Sequence, residues 1–156
     1  MHRHMAAKRL PPPAPLPSLP CACANLRRAA RAVTQLYDAA LRPAGLRITQ
    51  FTLLQALAIA GEPMTQGALG ELLAVDSTTL SRTLGPLERS KWIRRVAGTD
   101  ARERRLELSA QGRRVLERAT PAWERVQRRF RAALGTREWP ALEELLTAAV
   151  TAVRGA

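Results

Sequence analysis

Residues 75–109 have the sequence VDSTTLSRTLGPLERSKWIRRVAGTDARERRLELS, which carries an unusual crowding of charge. Between positions 82 and 105 it carries eight Arg and Lys residues, and the only acids there are Glu88, Asp100 and Glu103. A surface patch of one sign repels itself, so this crowding indicates a partner that carries negative charge. Nucleic acid, an anionic membrane surface and an acidic protein are the candidate partners.

The first part of this stretch predicts an amphipathic helix. Asp76 is a typical N-cap residue, and Leu80, Leu84 and Leu87 form a stripe that should face the core. At about 100° per residue, the opposite face is small, hydroxylated and cationic, which suits base edges and phosphates in a major groove. Gly85 would allow a close approach to DNA, although a simple kink is the plainer interpretation of Gly85-Pro86. The predicted DNA contacts on this helix are Ser77, Thr78, Thr79, Ser81, Arg82 and Arg89.

The neighbouring residues complete a winged helix-turn-helix. Thr65 caps a short preceding helix, and only residues 74–76 separate that helix from the next one. Downstream, WIRRVAG and RRLELSA are typical of two short strands around the polar loop TDARE. At the hairpin tip, Arg102 and Arg104 would contact a neighbouring minor groove or the DNA backbone. Three further strand arginines fit either that role or solubility alone: Arg94, Arg95 and Arg105.

Two helices precede this unit and two follow it. Helical spacing of apolar residues predicts a first helix over residues 22–41 and a second helix capped by Thr49. A long helix should begin near Ala110 and a last one near Arg137, so the fold class is mainly α with a small β-hairpin. We assign residues 21–45 and 110–156 to dimerisation and residues 46–109 to the DNA-binding lobe. Apolar side chains on the outer helices that need cover include Leu26, Val33, Phe130 and Val153.

Composition bounds the class of protein. The 156 residues carry a net charge of +12 and are 46% apolar, which is normal for a globular domain. Residues 1–20 are rich in proline and are expected to form a disordered tail. No window approaches the roughly 18 apolar residues of a membrane span, and prolines interrupt any signal-like segment. We therefore expect a cytoplasmic protein without membrane contact.

Other function classes fit the sequence less well. The only histidines, His2 and His4, lie in the tail, so the body of the chain lacks the commonest general base of enzymes. His2 and His4 with Cys21 and Cys23 could bind zinc or copper, but their spacing is irregular. We therefore expect no catalytic residue, no metal and no cofactor. A non-DNA adaptor or membrane-surface protein stays open as an alternative.

Several segments together resemble the MarR (multiple antibiotic resistance regulator) family of bacterial transcription factors. They are LLQALAIAG at 53–61, LGELLAVDSTTLSRTLGPLERSKWI at 69–93 and DARERRLELSAQGRRVLERA at 100–119. The resemblance covers about residues 22–153 and departs from the family pattern at Trp92, where glycine is usual. It implies an obligate homodimer that reads a pseudo-palindromic operator, acting as a repressor. The wing signature of the family falls on Asp100, Arg102, Leu108, Ser109 and Gly112.

The start of the first helix suggests a sensor. Cys21 and Cys23 lie where free N–H groups and the helix dipole favour a thiolate, and Arg27 follows Cys23 by one turn. Residues 23–51 resemble the first helix of organic-hydroperoxide-sensing MarR repressors, with Cys23 at their reactive cysteine and Tyr37 at a supporting tyrosine. Arg27 and Ile48 stand where two further tyrosines would be. The alternatives are a pair of small helix-entry residues, and control by a phenolic or aromatic ligand bound between the dimer helices and the DNA-binding lobe.

Overall fold

The described residues form a mainly helical fold with a small antiparallel sheet, as the sequence predicts. The structure is a computed structural model, and it describes residues 16–98, 100 and 103–154. A 3₁₀ turn, Arg42–Ala44, joins the first two helices. The elements are α1 Ala22–Leu41, α2 Ile48–Ala60, β1 Met64–Thr65, α3 Gln66–Leu73, α4 Ser77–Arg89, β2 Ile93–Ala97, β3 Arg104–Leu108, α5 Ala110–Leu134 and α6 Glu138–Arg154.

The sheet confirms the predicted wing and adds one strand to it. β2 and β3 pair antiparallel with Ile93 opposite Leu108 and Ala97 opposite Arg104. β1 pairs with the other edge of β3, which gives the order β1-β3-β2. The sequence pattern does not predict β1, because two residues are too few for an alternation of apolar and polar residues to be visible. This short strand ties the start of α3 to the wing.

The core lies where α2, α3, α4, β3 and α5 meet. The predicted stripe of α4, formed by Leu80, Leu84 and Leu87, is buried. Phe51 of α2 is fully buried and stacks on Trp123 of α5, with ring centroids 5.6 Å apart. Because these contacts hold α4 from one side only, its other side faces outward.

Helix starts follow the predicted caps with one exception. Thr65 Oγ1 accepts the Ala68 N–H at 3.1 Å, and Asp76 Oδ1 accepts the Thr79 N–H at 2.9 Å. Ser109, which was not predicted as a cap, accepts the Gly112 N–H at 3.0 Å through its Oγ. The prediction that Thr49 caps the second helix is wrong, because the N-cap of α2 is Arg47, two residues earlier. Asp38 of α1 causes the shift, since its Oδ1 accepts the Ile48 N–H at 2.7 Å. An acceptor from the preceding helix replaces the local cap.

The turn at Trp92 differs from what a glycine there would suggest. Lys91 takes the left-handed conformation, with φ of 58°, and Trp92 packs partly buried against the core. The Trp92 N–H donates to the Leu87 carbonyl at 2.9 Å. The departure from the family pattern is therefore accommodated one residue earlier in the chain.

Residues at the start of the described chain are held to α1. The Asn25 side chain donates to the Leu19 carbonyl at 2.6 Å and accepts the Leu19 N–H at 3.0 Å. Arg28 Nη2 donates to the Pro17 carbonyl at 2.9 Å. Pro17 and Leu19, near the end of the predicted tail of residues 1–20, thus have hydrogen-bond partners on α1. The extent of the disordered tail stays a prediction. Residues 1–15, with His2 and His4, lie outside the described residues.

The outer helices leave a row of apolar side chains uncovered. Leu145 and Val153 of α6 are 69% and 78% exposed. Phe130 differs from the prediction, because it is partly covered within the chain between Tyr37 and Trp139, in edge-on contacts at 6.5 and 5.6 Å. The exposed members of the row are Leu26, Leu145, Leu146, Val150 and Val153.

Candidate nucleic-acid interface

The predicted polar face of α4 is exposed. Leucines hold the helix to the core on one side, which directs its hydroxyl and guanidinium groups away from the protein. Among the described residues, Arg82 has no ion-pair or hydrogen-bond partner, so its charge is available for an external one. Gly85 on the same helix is half-buried. The exposed residues of this face are Ser77, Thr78, Thr79, Ser81, Arg82 and Arg89.

A carboxylate orders the start of this face. Asp76 Oδ1 accepts the Thr79 N–H at 2.9 Å, and its Oδ2 accepts the Thr79 hydroxyl at 2.6 Å. These hydrogen bonds, the Thr79 side chain first, lower the pKa of Asp76. Thr79 therefore completes the cap as well as lying on the outer face.

Asp76 should make stability depend on acid pH. Because its pKa is lower in the folded than in the unfolded chain, its contribution is present above the ordinary Asp value of about 3.9. It is lost as the pH falls through the lower, folded-state pKa. We expect Asp76→Ala to lower the urea midpoint at pH 6 and to match wild type in strong acid. Glu62→Gln, which changes an exposed carboxylate outside any helix, is the control and should follow wild type throughout.

The wing contributes fewer free cations than its sequence suggests. Arg94 pairs with Glu107 at 2.5 Å, and Arg105 pairs with Glu103 at 3.0 Å. Both pairs lie within the hairpin, so these two charges are partly neutralised there. Whether Arg94 and Arg105 contact DNA or serve solubility stays open. Arg104 is exposed, and it lies in β3 rather than at the tip of the loop.

Arg102 lies outside the described residues. Its role in DNA contact stays a prediction.

One polar group of the interface was missed by the sequence analysis. Gln66, the first residue of α3, donates from Nε2 to Ser81 Oγ at 2.9 Å. Its Oε1 accepts from Arg95 of β2, which is also paired with Glu88. No periodic pattern predicts this contact, because it depends on how α3 crosses α4 and on the position of β2.

Of the residues predicted to form a redox sensor, Cys21, Cys23 and Arg27 lie together at the start of α1, whereas Tyr37 lies far along the same helix. Cys21 is the N-cap of α1 and Cys23 its second residue, and both thiols are free and exposed, as is Arg27. Tyr37 lies 14 positions beyond Cys23 on the same helix, or about 21 Å at 1.5 Å per residue. Tyr37 is buried, its hydroxyl donates to Gln127 Oε1, and burial raises its pKa. Within one protomer, Tyr37 therefore does not support the Cys23 thiolate.

A cavity of about 820 Å³ separates the outer helices from the lobe that carries α4. Leu26 and the apolar side chains of α6 line one wall, and α3 with the α3–α4 turn lines the other. Arg154 donates to the Glu71 carbonyl across one end. This is the region in which the sequence analysis placed an alternative ligand site.

Comparison with known proteins identifies the family. A sequence model of the MarR family matches residues 44–103. The transcriptional regulator MosR of M. tuberculosis, solved in complex with DNA, is 39% identical, with a TM-score of 0.77 over 86% of this chain and 97% of that one. The chain belongs to the MarR family.

Two further similar proteins are also transcriptional regulators. The HTH-type transcriptional regulator YwoH of Bacillus subtilis (strain 168) is 32% identical over 93 residues, which are 60% of this chain and 67% of YwoH. A probable transcriptional regulator from Pseudomonas aeruginosa is 29% identical, with a TM-score of 0.73 over 82% of this chain and 96% of that one. The protein is thus a MarR-family transcriptional regulator and not an enzyme.

The likeness to the hydroperoxide-sensing branch of the MarR family stays a prediction. No helix in the described part of the chain is long and apolar enough to cross a bilayer.

Proposed function

We propose that this regulator binds double-stranded DNA sequence-specifically, with α4 in the major groove. The observation that carries the proposal is the outer face of α4, where hydroxyls and unpaired arginine charge stand above a buried leucine stripe. Arg104, with Arg102 in the adjoining loop, would contact the backbone or the neighbouring minor groove. MosR, which is 39% identical and was solved in complex with DNA, supports a DNA partner for this chain.

The experiment is selection of bound duplexes from a random pool by the full chain, followed by titration over a range of salt. We expect one enriched motif and an affinity that falls steeply with salt, because arginines displace counterions from phosphates. A flat salt dependence without an enriched motif would favour a non-DNA adaptor.

The proposal includes a homodimer that acts as a repressor on a pseudo-palindromic operator. Exposed apolar side chains on α6 and at Leu26 support it, because a second copy would remove them from water. We assign residues 21–45 and 110–156 to the dimer helices, and residues 46–109 to the lobe that reads DNA. Two copies of α4 would then read half-sites about one helical turn apart.

Sedimentation tests this dimer. We expect wild type to be a dimer at micromolar concentration, and Leu145→Glu to shift it toward monomer, because the new charge would be buried between subunits. Ile59→Glu is the matched control, since Ile59 is 80% exposed at the end of α2 and lies outside the proposed interface. A stable, folded wild-type monomer would remove the basis for a two-half-site operator.

Oxidation of Cys23 is the proposed switch. A hydroperoxide would convert the thiol to a sulfenic acid and be reduced to the alcohol, and a second thiol would then give a disulfide and water. Cys21, a thiol of the second subunit or a small thiol could supply that sulfur. Both cysteines begin a proposed dimer helix, so a change there could alter the distance between the two copies of α4.

Operator binding by wild type, Cys21→Ser and Cys23→Ser, reduced and after mild peroxide, tests the switch. We expect oxidised wild type to bind about 5- to 150-fold more weakly, and Cys23→Ser to lose this response. A response lost only in Cys21→Ser would identify the other sulfur as the sensor. Equal binding by oxidised and reduced wild type would reject redox control.

The cavity beside α6 favours a second candidate effector. Its largely apolar walls suit a small phenolic or aromatic molecule, which would act on the same DNA-binding function. Salicylate and benzoate are suitable probes, with operator affinity as the readout. Release of DNA by such probes, unchanged in a variant without cysteines, would favour this effector over oxidation.

A further inference from the structure

We infer that Gln66 orients the Ser81 hydroxyl, so that its O–H is free to donate a hydrogen bond to DNA. Gln66 thereby helps to set operator specificity without contacting a base itself. The inference rests on the proposed position of α4 in the major groove. It assigns a positioning role to a residue of α3 that no motif of the sequence marks.

Four side chains from three elements form a continuous hydrogen-bonded chain. Glu88 Oε1 accepts from Arg95 Nε at 2.5 Å, and Arg95 Nη2 donates to Gln66 Oε1 at 3.3 Å. Gln66 Nε2 then donates to Ser81 Oγ at 2.9 Å. Glu88 and Ser81 are both on α4. The series of hydrogen bonds therefore runs from α4 to β2 of the wing, on to α3, and back to α4.

The chemistry of these groups leaves one choice of direction. A guanidinium only donates hydrogen bonds, so the Gln66 carbonyl oxygen must face Arg95. The amide NH₂ of Gln66 must then face Ser81, whose oxygen acts as the acceptor. The Ser81 hydroxyl proton has no acceptor among the described residues, and Ser81 is exposed on the outer face of α4. Ser81 therefore presents a free O–H to the outside, while Gln66 occupies one of its two lone pairs.

A donor at this position discriminates between bases. In the major groove, guanine offers N7 and O6, adenine offers N7 and thymine offers O4 as acceptors, whereas cytosine offers an amino donor. Ser81 should therefore disfavour cytosine at the base that it contacts. A single hydrogen bond of this kind changes affinity by about 3- to 10-fold.

Gln66→Glu reverses the direction of the hydrogen bond between residue 66 and Ser81, with almost no change in side-chain shape. A carboxylate accepts from both Arg95 and Ser81, so the Ser81 hydroxyl would donate inward and offer its lone pairs to DNA. Glutamate is favourable in the first turn of a helix, so α3 should still form. The added negative charge should also weaken binding to every DNA sequence. In a protein that already carries Ser81→Ala, Gln66→Glu should have this general effect only.

The test is selection from random duplexes by the full-length wild type, Gln66→Glu, Ser81→Ala and the double variant. We expect one symmetric pair of positions to lose its bias against cytosine by about 3- to 10-fold in Gln66→Glu, and no such change between Ser81→Ala and the double variant. A wild-type motif with an unaltered base preference in Gln66→Glu would overturn this inference alone. Failure of wild type to enrich any motif would overturn it together with the proposed function.

Discussion

Replacing Arg82 with alanine should weaken binding to the selected operator by about 1–3 kcal/mol, or about 5- to 150-fold, if the guanidinium contacts a base. Arg82 is exposed on the outer face of α4 and has no ion-pair partner among the described residues. The loss should be smaller on a scrambled duplex, where only phosphates are contacted. Fluorescence anisotropy titrations on both duplexes give the two affinities.

A control and a contrasting variant sharpen this experiment. Arg42→Ala removes the same charge from the turn after α1 and should change both affinities little. Arg102→Ala should weaken binding to all sequences alike and lower the salt slope by about one, as expected of a phosphate contact. Negligible effects from both Arg82→Ala and Arg102→Ala would mean that the DNA face has been misplaced.

Replacing Gly112 with alanine should cost about 3 kcal/mol of stability, because the new methyl group has no space. A Cβ at Gly112 would lie 2.0 Å from the Trp92 carbonyl oxygen and 2.9 Å from Leu108 Cδ1. That carbonyl cannot withdraw freely, since it accepts the Ser109 N–H at 3.0 Å. The glycine of the wing signature thus serves close packing of α5 against the wing.

Urea denaturation measures this cost as a lower midpoint with an unchanged slope. Gly67→Ala is the matched control, because a Cβ there meets only Thr65 Oγ1 at an ordinary 3.9 Å. We expect it to equal or exceed wild type in stability, since alanine is the better helix former. Equal midpoints for Gly112→Ala and wild type would show that the wing can move away from α5.

Sequence periodicity predicted the elements whose physics is local. The leucine stripe of α4 determines which face is buried, and Asp76 and Thr65 accept the N–H groups predicted for caps. The start of α2 was misplaced, because its acceptor comes from Asp38, ten positions earlier on another helix. β1 was missed, since two residues are too few to show an alternating pattern and its partner strand lies about forty residues away.

The candidate DNA-binding site was likewise predictable where it depends on one helix and not where it depends on contacts between elements. The face of α4 follows from its helical period, whereas the Gln66–Ser81 contact requires the crossing of two helices. The likeness to hydroperoxide sensors aligned Tyr37 with a supporting tyrosine, yet alignment transfers positions and not contacts. Tyr37 lies on the same helix as Cys23, and the buried hydroxyl of Tyr37 is bound to Gln127.

Hydroxyl-radical footprinting of wild type on the selected duplex tests the central claim most directly. If a homodimer places two copies of α4 in successive major grooves, the footprint should show two symmetric protected regions on one face of the duplex. Their centres should lie about 10 base pairs apart, one turn of the helix. A single protected region, or uniform protection along the duplex, would contradict a two-fold, sequence-specific reader.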